Sequence, residues 1–499
     1  MRGLLAKVRA VLTPTGSLTS RAVAGGVWMA ATNVIGRGTQ LLMVVVLANL
    51  LTPTAFGVAG VALLAASALN RFSKLGIDAA LIQNADDDVD RYLNTTWILN
   101  GARGLVLGGI LIGVSPLVAD VFGMPLVAAI LPVMAIGPAV RGLRNPGMVY
   151  FRKDLQYHKR FAYQVSAALA QFVVAVGYAL VDPTVWAFAY GFITTSVLNT
   201  VASYLLHGYR PRPSFDLSLA KELIGYGKWL TGASVIGFLR QEGDDAVVGY
   251  LLAPAALGFY QMGYRLSNAA ATEVTHVVSD VTFPAYSKVQ DDLPALRTGL
   301  ERSIQVSMIA AAPLALGLVA VTPTFVRAFL GESWLEMVVP MQVLALYGLV
   351  HAYTASFGSV WKALGRPDVL TKIQVLSVVA LMLTVVPMTM EFGIVGTAVG
   401  TLAVYVLVSL PLDTWITARL TGASAVRLLR PATYPLVAAS AMCAVVWIAR
   451  ERLVLESSAI EFVLLVLLGA VSYVLAVVVL ETQLDWGLRT EVRKVREAM

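Results

Sequence analysis

Charge is what this sequence has least of. Only 13% of its 499 residues are Asp, Glu, Lys or Arg, against 58% hydrophobic, where a soluble domain carries about 25% charged residues. So few charges cannot wet a surface of this size, so most of it is expected to face lipid, and the mean hydropathy of +0.74 agrees. There is one cysteine, Cys443, inside an apolar run, which excludes an intramolecular disulfide. The four histidines, His158, His207, His276 and His351, lie too far apart for a zinc or copper ligand set, and no metal site is expected. Residues 1–21 contain no acid and carry Arg2, Lys7, Arg9 and Arg21. The hydrophobic run after them is longer than the core of a signal peptide, so none is expected. A net charge of +7 in a soluble chain would hint at nucleic acid. Here the excess of Lys and Arg on cytoplasmic loops is the simpler source, and no nucleic-acid partner is expected.

What is present in quantity is long apolar runs. A bilayer core takes about 20 apolar residues in a helix. Spans are expected near 22–50, 54–80, 93–119, 125–147, 160–181, 184–206, 223–252, 257–283, 301–329, 337–363, 368–389, 393–418, 431–449 and 459–480, fourteen in all. The loops alternate in character. One set is short and uncharged, as at Leu51-Thr52-Pro53-Thr54, Val181-Asp182-Pro183-Thr184 and Ala253-Pro254-Ala255-Ala256; the other is basic, as at 141–160, 210–228, 288–302 and 419–430. Only Arg327, Arg450 and Arg452 fall on the uncharged side. This asymmetry predicts a multi-pass protein of the cell membrane with both termini in the cytoplasm. His207-Gly208-Tyr209-Arg210-Pro211-Arg212-Pro213 reads as an extended linker, since each residue before a proline is pushed away from the helix.

The chain repeats itself. Shifted by 201 residues, Gly26, Trp28, Val34, Ile35, Gly36, Gln40, Val46, Leu50, Leu51, Pro53, Ala55 and Gly57 fall on Gly227, Trp229, Val235, Ile236, Gly237, Gln241, Val247, Leu251, Leu252, Pro254, Ala256 and Gly258, 12 matches in 32 positions without a gap. Six spans separate the copies, so both cross in the same direction and the halves are parallel repeats. The expected organisation is a basic cytoplasmic segment (1–21), an N-lobe of six helices (22–206), a cytoplasmic linker where a hinge belongs (207–222), a C-lobe of six (223–418), two further helices (419–480) and a basic cytoplasmic tail (481–499). Two such lobes would enclose a central cavity and rock to give alternating access.

Ionisable residues inside these spans narrow the reading, because a charge at the bilayer centre costs about 2.5–3.5 kcal/mol unless it meets water or a partner. The candidate cations are Arg37 in the first span, Arg103 in the third, Arg240 in the seventh and Arg265 in the eighth; the acids are Glu242, Asp244 and Asp245 in the seventh and Glu273 and Asp280 in the eighth. Guanidinium groups suit a phosphate, whose oxygens they take two at a time. In the repeat, Arg37 falls on Phe238, so Arg37 and Arg240 would lie at similar depth in opposite lobes and bracket a diphosphate. A plainer reading pairs Arg240 with Asp244 one turn on, and Arg103 with an acid on a neighbouring helix. Glu242, Asp244, Asp245 and Glu273 are candidates for coupling to H⁺ or Na⁺.

Several turns resemble those of one family. Leu50-Leu51-Thr52-Pro53-Thr54-Ala55-Phe56-Gly57, the segment Phe72–Gln83, Gly243-Asp244-Asp245-Ala246-Val247-Val248-Gly249 with Leu257-Gly258-Phe259-Tyr260, Thr282-Phe283-Pro284-Ala285-Tyr286-Ser287-Lys288-Val289-Gln290-Asp291-Asp292, and Ala363-Leu364-Gly365-Arg366-Pro367 are similar, in order, to motifs of the Wzx-type oligosaccharide flippases of the multidrug/oligosaccharidyl-lipid/polysaccharide exporter superfamily. The resemblance covers the first twelve spans. It implies a V-shaped pair of six-helix bundles. It also implies movement of a polyprenyl-diphosphate-linked oligosaccharide from the cytoplasmic to the outer leaflet, with no cofactor beyond a coupling ion and with glycosyltransferases or a polysaccharide polymerase as partners. Related lipid II flippases hold the diphosphate with cavity arginines, which Arg37 and Arg240 match in kind. Two other readings stand beside it. A cation or drug antiporter of the same superfamily would share the fold but favour acids over arginines in its site. A membrane glycosyltransferase or polymerase would carry catalytic acids on a sizeable external loop, and the external loops here are only a few residues long.

Overall fold

The computed structural model describes residues 18–73, 90–154, 156–453 and 455–484. Helices joined by short turns make up this part, with no strand among the described residues. In chain order they are α1 (Leu18–Leu50), α2 (Pro53–Phe72), α3 (Asp90–Val121), α4 (Pro125–Gly142), α5 (Tyr157–Val181), α6 (Trp186–Leu206), α7 (Leu217–Leu251), α8 (Pro254–Lys288), α9 (Leu293–Phe329), α10 (Glu332–Ala363), α11 (Pro367–Thr421), α12 (Ala425–Arg452) and α13 (Ser458–Leu484). The expected terminal segments lie largely outside the described residues, as does the second span beyond Ser73.

Ten of these stretches are long and apolar enough to cross a membrane, all but α6, α7 and α8. Those three fall short of the fourteen expected spans for a visible reason: α6 carries Thr194, Thr195, Ser196, Asn199 and Thr200, α7 carries four charges between Arg240 and Asp245, and α8 carries Arg265, Glu273 and Asp280. α11, at 55 residues, is long enough for two crossings. It breaks at Gly393, whose φ of 58° and ψ of −143° no side chain tolerates well. Apolar side chains exposed on the outside, such as Leu180, Leu205, Leu383, Leu407 and Leu467, are the surface a bilayer covers.

The division into two compact units falls between Phe238 and Leu239, inside α7. In the first unit α5 packs on α1 and α6, and α4 on α2, α3 and α6. In the second, α9 packs on α8, α10, α12 and α13, and α10 on α8 and α11. The repeat is visible in the turns that open α2 and α8. The N–H of Leu51 donates to Leu47 O (2.8 Å) and that of Leu252 to Val248 O (2.9 Å), at positions related by the same shift. Each following helix begins on a proline, whose missing N–H is no loss at that position, and Thr52 adds a side-chain cap to Ala55 N–H (3.3 Å).

Several resembling motifs serve structure in the same local way. Asp292 caps α9 by accepting from Ala295 N–H (3.0 Å). Tyr286 is buried and donates to Ser303 Oγ (2.7 Å). Gly365, at φ 69°, turns the chain from α10 into α11 while Arg366 N–H donates to Trp361 O (2.8 Å).

Residues 207–216 are non-helical, as their prolines require, but they are tied down. Asn145, fully buried, donates from Nδ2 to the carbonyls of Tyr209 (2.8 Å) and His207 (3.5 Å) and accepts from Gly147 N–H (2.9 Å). Tyr209 Oη and Arg212 N–H both donate to Asn94 Oδ1 (2.7 Å each), and Asp216 N–H donates to Thr95 Oγ1 (3.2 Å). The His207 ring stacks on Tyr150, and its Nδ1 accepts from Tyr209 N–H (3.1 Å). Asp216 then caps α7; the Ser218 hydroxyl and the N–H groups of Ser218 and Leu219 hold its carboxyl below the ordinary range. The segment is thus strapped to the start of α3 and to the connection between α4 and α5.

Candidate functional site

The charges of the second unit gather where α7, α8, α10 and α11 carry facing side chains. Arg240, half-buried on α7, does not pair with Asp244 one turn on. Its Nε donates to the hydroxyl of Tyr405 (3.0 Å), and the guanidinium carbon lies 5.6 Å from that ring's centroid. Among the described residues its two Nη groups make no hydrogen bond. Tyr405 is buried and packs edge-on against Tyr347 of α10 (4.5 Å between centroids), which lies 6.1 Å from Tyr264 of α8. A tyrosine ring therefore orients the guanidinium without neutralising it.

Tyr405 opens a π turn, Tyr405–Ser409, in which Leu410 N–H donates to Tyr405 O five residues back. The cause is local. Pro411 has no N–H to give to Leu407 O, and its ring crowds that carbonyl, so the chain takes in one extra residue. Beyond the turn lies Asp413, which interacts electrostatically with Arg240. No ion pair joins them among the described residues, and Asp413 Oδ1 is buried without a hydrogen bond.

Asp244 takes a different partner. It is 4% exposed. Its Oδ2 accepts from Tyr260 Oη (2.6 Å), and its Oδ1 from the N–H of Asp245 (3.1 Å). The two halves of one resembling motif, one supplying Asp244 and the other Tyr260, are therefore bonded to each other. Asp245 Oδ2 accepts from Gln261 Nε2 (2.9 Å) and feels the charges of Glu242 and of Arg265, one turn beyond Gln261. Arg265 itself is exposed. The side chain of Glu273 lies outside the described residues.

The first unit uses its arginines otherwise. Arg37 is half-buried midway along α1. Arg103 closes the C-terminal end of α2. Its Nε donates to Ser73 O (2.8 Å) and Nη2 to Asn70 O (2.9 Å) and Asn70 Oδ1 (2.8 Å), while both reach Ser73 Oγ (3.1 and 3.0 Å). Those carbonyls belong to the last turn, which has no helical donors of its own. Among the described residues its partners are the carbonyls and side chains of that helix end. Reasoning from sequence passed over Tyr405, Tyr347, Tyr264 and Asp413; the available signal was an acid, Asp413, inside an expected span.

Comparison with known proteins bears out the resemblance. The lipopolysaccharide biosynthesis protein WzxC of Escherichia coli is 27% identical over 397 residues, 78% of this chain and 80% of that one. The probable flippase AglR of Haloferax volcanii is 27% identical over 419 residues, 80% and 83% of the two chains. Among solved structures, the lipid II flippase MurJ in an inward closed conformation matches with a TM-score of 0.69 at 11% identity, covering 93% of this chain and all of that one; the likeness is one of fold. The chain is a multi-pass, all-α membrane protein. A family model described as polysaccharide biosynthesis protein matches residues 46–339, more than half of the sequence, and the chain belongs to that family.

Proposed function

We propose that this protein is a flippase, not an enzyme. It carries a polyprenyl-diphosphate-linked oligosaccharide from the inner to the outer leaflet of the cell membrane by alternating access, for assembly of a surface polysaccharide or glycan. The observation that carries the reading is Arg240: a guanidinium on α7, oriented by a tyrosine hydroxyl, with both Nη groups unspent on the protein among the described residues. A planar fork of this kind takes two oxygens of a phosphate. Arg37 supplies a second cation. Family membership and the names of the relatives, a polysaccharide biosynthesis family, a lipopolysaccharide biosynthesis protein and a probable flippase, support this reading.

The reading has three further parts. The basic loops put both termini in the cytoplasm. Asp244 and Asp245, with Glu242 beside them, are the groups that would bind a coupling H⁺ or Na⁺; Tyr260 and Gln261 hold the two carboxylates in place. The partners are the enzymes that build and consume the lipid-linked sugar, a glycosyltransferase and a polymerase.

The test is deletion of the gene, with complementation by wild type, Arg37→Ala and Arg240→Ala at matched expression. Accumulation of diphosphate-linked oligosaccharide on the cytoplasmic leaflet, cleared by wild type but not by Arg240→Ala, is the expected result. Unchanged lipid-linked sugars together with increased sensitivity to cationic drugs would replace the reading with a drug antiporter.

A further inference from the structure

The π turn in α11 has a geometric consequence for Asp413. Eight residues of uninterrupted α-helix turn through about 800°, which would leave position 413 about 80° away from the face of Tyr405. The extra residue of the π turn removes about 100° and returns Asp413 to within about 20° of that face. Arg240 is bound to Tyr405 at that face. One face of α11 therefore carries, two turns apart, a phenol that bonds Nε of Arg240 and a carboxylate that attracts the charge without being paired to it. The carboxylate is also under-used. Asp413 Oδ1 is buried and has no hydrogen bond, although a buried acceptor ordinarily finds a donor.

We propose that Asp413 is the internal competitor for Arg240: a carboxylate that attracts the same guanidinium as an incoming diphosphate and so lowers its affinity for that anion. This rests on the flippase reading and specifies how its cation is set. Two anions cannot both hold one guanidinium at close range, because each raises the energy of the other there. Asp413, which makes no ion pair with Arg240 among the described residues, therefore raises the energy of a diphosphate held there and favours its release. Binding is weakened by the competition, which is of use to a transporter that must let its cargo go.

The competition has a signature that damage to the fold does not imitate, which is tighter binding in a mutant. Purified full-length protein in lipid nanodiscs is titrated with inorganic diphosphate as the probe, and the dissociation constant is measured for wild type, Asp413→Asn, Asp413→Glu and Arg240→Ala. Asp413→Asn is expected to bind about fivefold to tenfold tighter, a change of the size that removing one nearby like charge produces, and to transport more slowly in the leaflet assay. Asp413→Glu restores the competitor and returns the constant toward wild type. Asp413→Asn together with Arg240→Ala behaves as Arg240→Ala alone. If Asp413→Asn does not fold, Asp413→Ser takes its place with the same expectation. Wild type that binds while the neutral variant binds equally or more weakly overturns the competitor and leaves the flippase reading standing. Wild type that does not bind the probe at all, alongside lipid-linked sugars unchanged by gene deletion, overturns both.

Discussion

Arg103→Ala separates two uses of an arginine that sequence alone leaves open. In the structure its Nε and Nη2 donate to the last turn of α2, to the carbonyls of Asn70 and Ser73 and to both of their side chains. A hydrogen bond from a charged donor is worth about 1.5–3 kcal/mol net, and a cation at a helix C-terminus adds about 0.3–1 kcal/mol. Truncation leaves two carbonyls to water at a half-buried position, so the whole sum is not lost. A destabilisation of about 2–4 kcal/mol is expected, about half recovered by Arg103→Lys, which keeps the charge but loses the planar fork. The assay is thermal unfolding of the full-length protein in detergent, read beside complementation of the deletion strain at matched membrane levels. The expected pattern is a lowered midpoint with export falling only in proportion to the protein that remains folded. An unchanged midpoint with export abolished would refute the cap and return Arg103 to the candidate cargo-binding cations.

Three other outcomes follow from the same kind of geometry. Asn145→Ala removes the two donors that hold residues 207–209 and the acceptor for Gly147 N–H; a loss of about 2 kcal/mol is expected, with limited proteolysis cutting faster within 207–216. His207 has its pKa lowered by burial and by the nearby Lys159, and it is held neutral as an acceptor for Tyr209 N–H. A base with a depressed folded pKa binds fewer protons folded than unfolded, so its contribution is present above about pH 6.5 and is lost as pH falls from there toward the folded value. The unfolding midpoint of wild type should therefore drop more between pH 7.5 and 5 than that of His207→Gln. At Gly396 an added Cβ would overlap the Met388 carbonyl, a backbone atom that cannot move aside, whereas at Gly400 it would make ordinary contact with Met388 and Val385 at 3.5 Å. Gly396→Ala is expected to cost about 1–3 kcal/mol and Gly400→Ala less than about 0.5 kcal/mol, compared by thermal unfolding.

What the sequence made legible was whatever is encoded within a few residues. The paired short turns that open on Pro53 and Pro254 and the non-helical stretch after His207 follow from local chemistry, and both stand in the structure. What was hidden depends on partners far away in the chain. Arg103 meets α2 some 30 residues back, and Asn145 meets Tyr209 at a separation of 64. The sequence offered Asp244 as the partner of Arg240 because helical spacing puts i and i+4 side by side, yet Tyr405 takes it from 165 residues away. The reason is burial. An exposed helix has only its own side chains to pair with, whereas a packed one offers each polar group a choice of neighbours, and Asp244 is better satisfied by Tyr260 and a backbone N–H than by a guanidinium.

The choice of a phenol to hold Arg240 has a physical logic. A carboxylate in direct contact would neutralise the charge and occupy the donors that a guanidinium needs to take a phosphate. With no partner at all, the charge in the membrane would carry its full cost of insertion, about 2.5–3.5 kcal/mol. A tyrosine hydroxyl lies between these: it accepts one hydrogen bond, fixes the plane of the fork through Nε and leaves the net charge in place. Asp413, displaced from contact, lowers the cost of that charge without cancelling it. Both groups come from one helix, and the π turn that Pro411 imposes brings them onto one face. Moving that proline by a single position would rotate the acid away from the arginine while leaving every apolar contact type in α11 unchanged. Apolar periodicity alone therefore describes this helix as a membrane span and says nothing of the site that it carries.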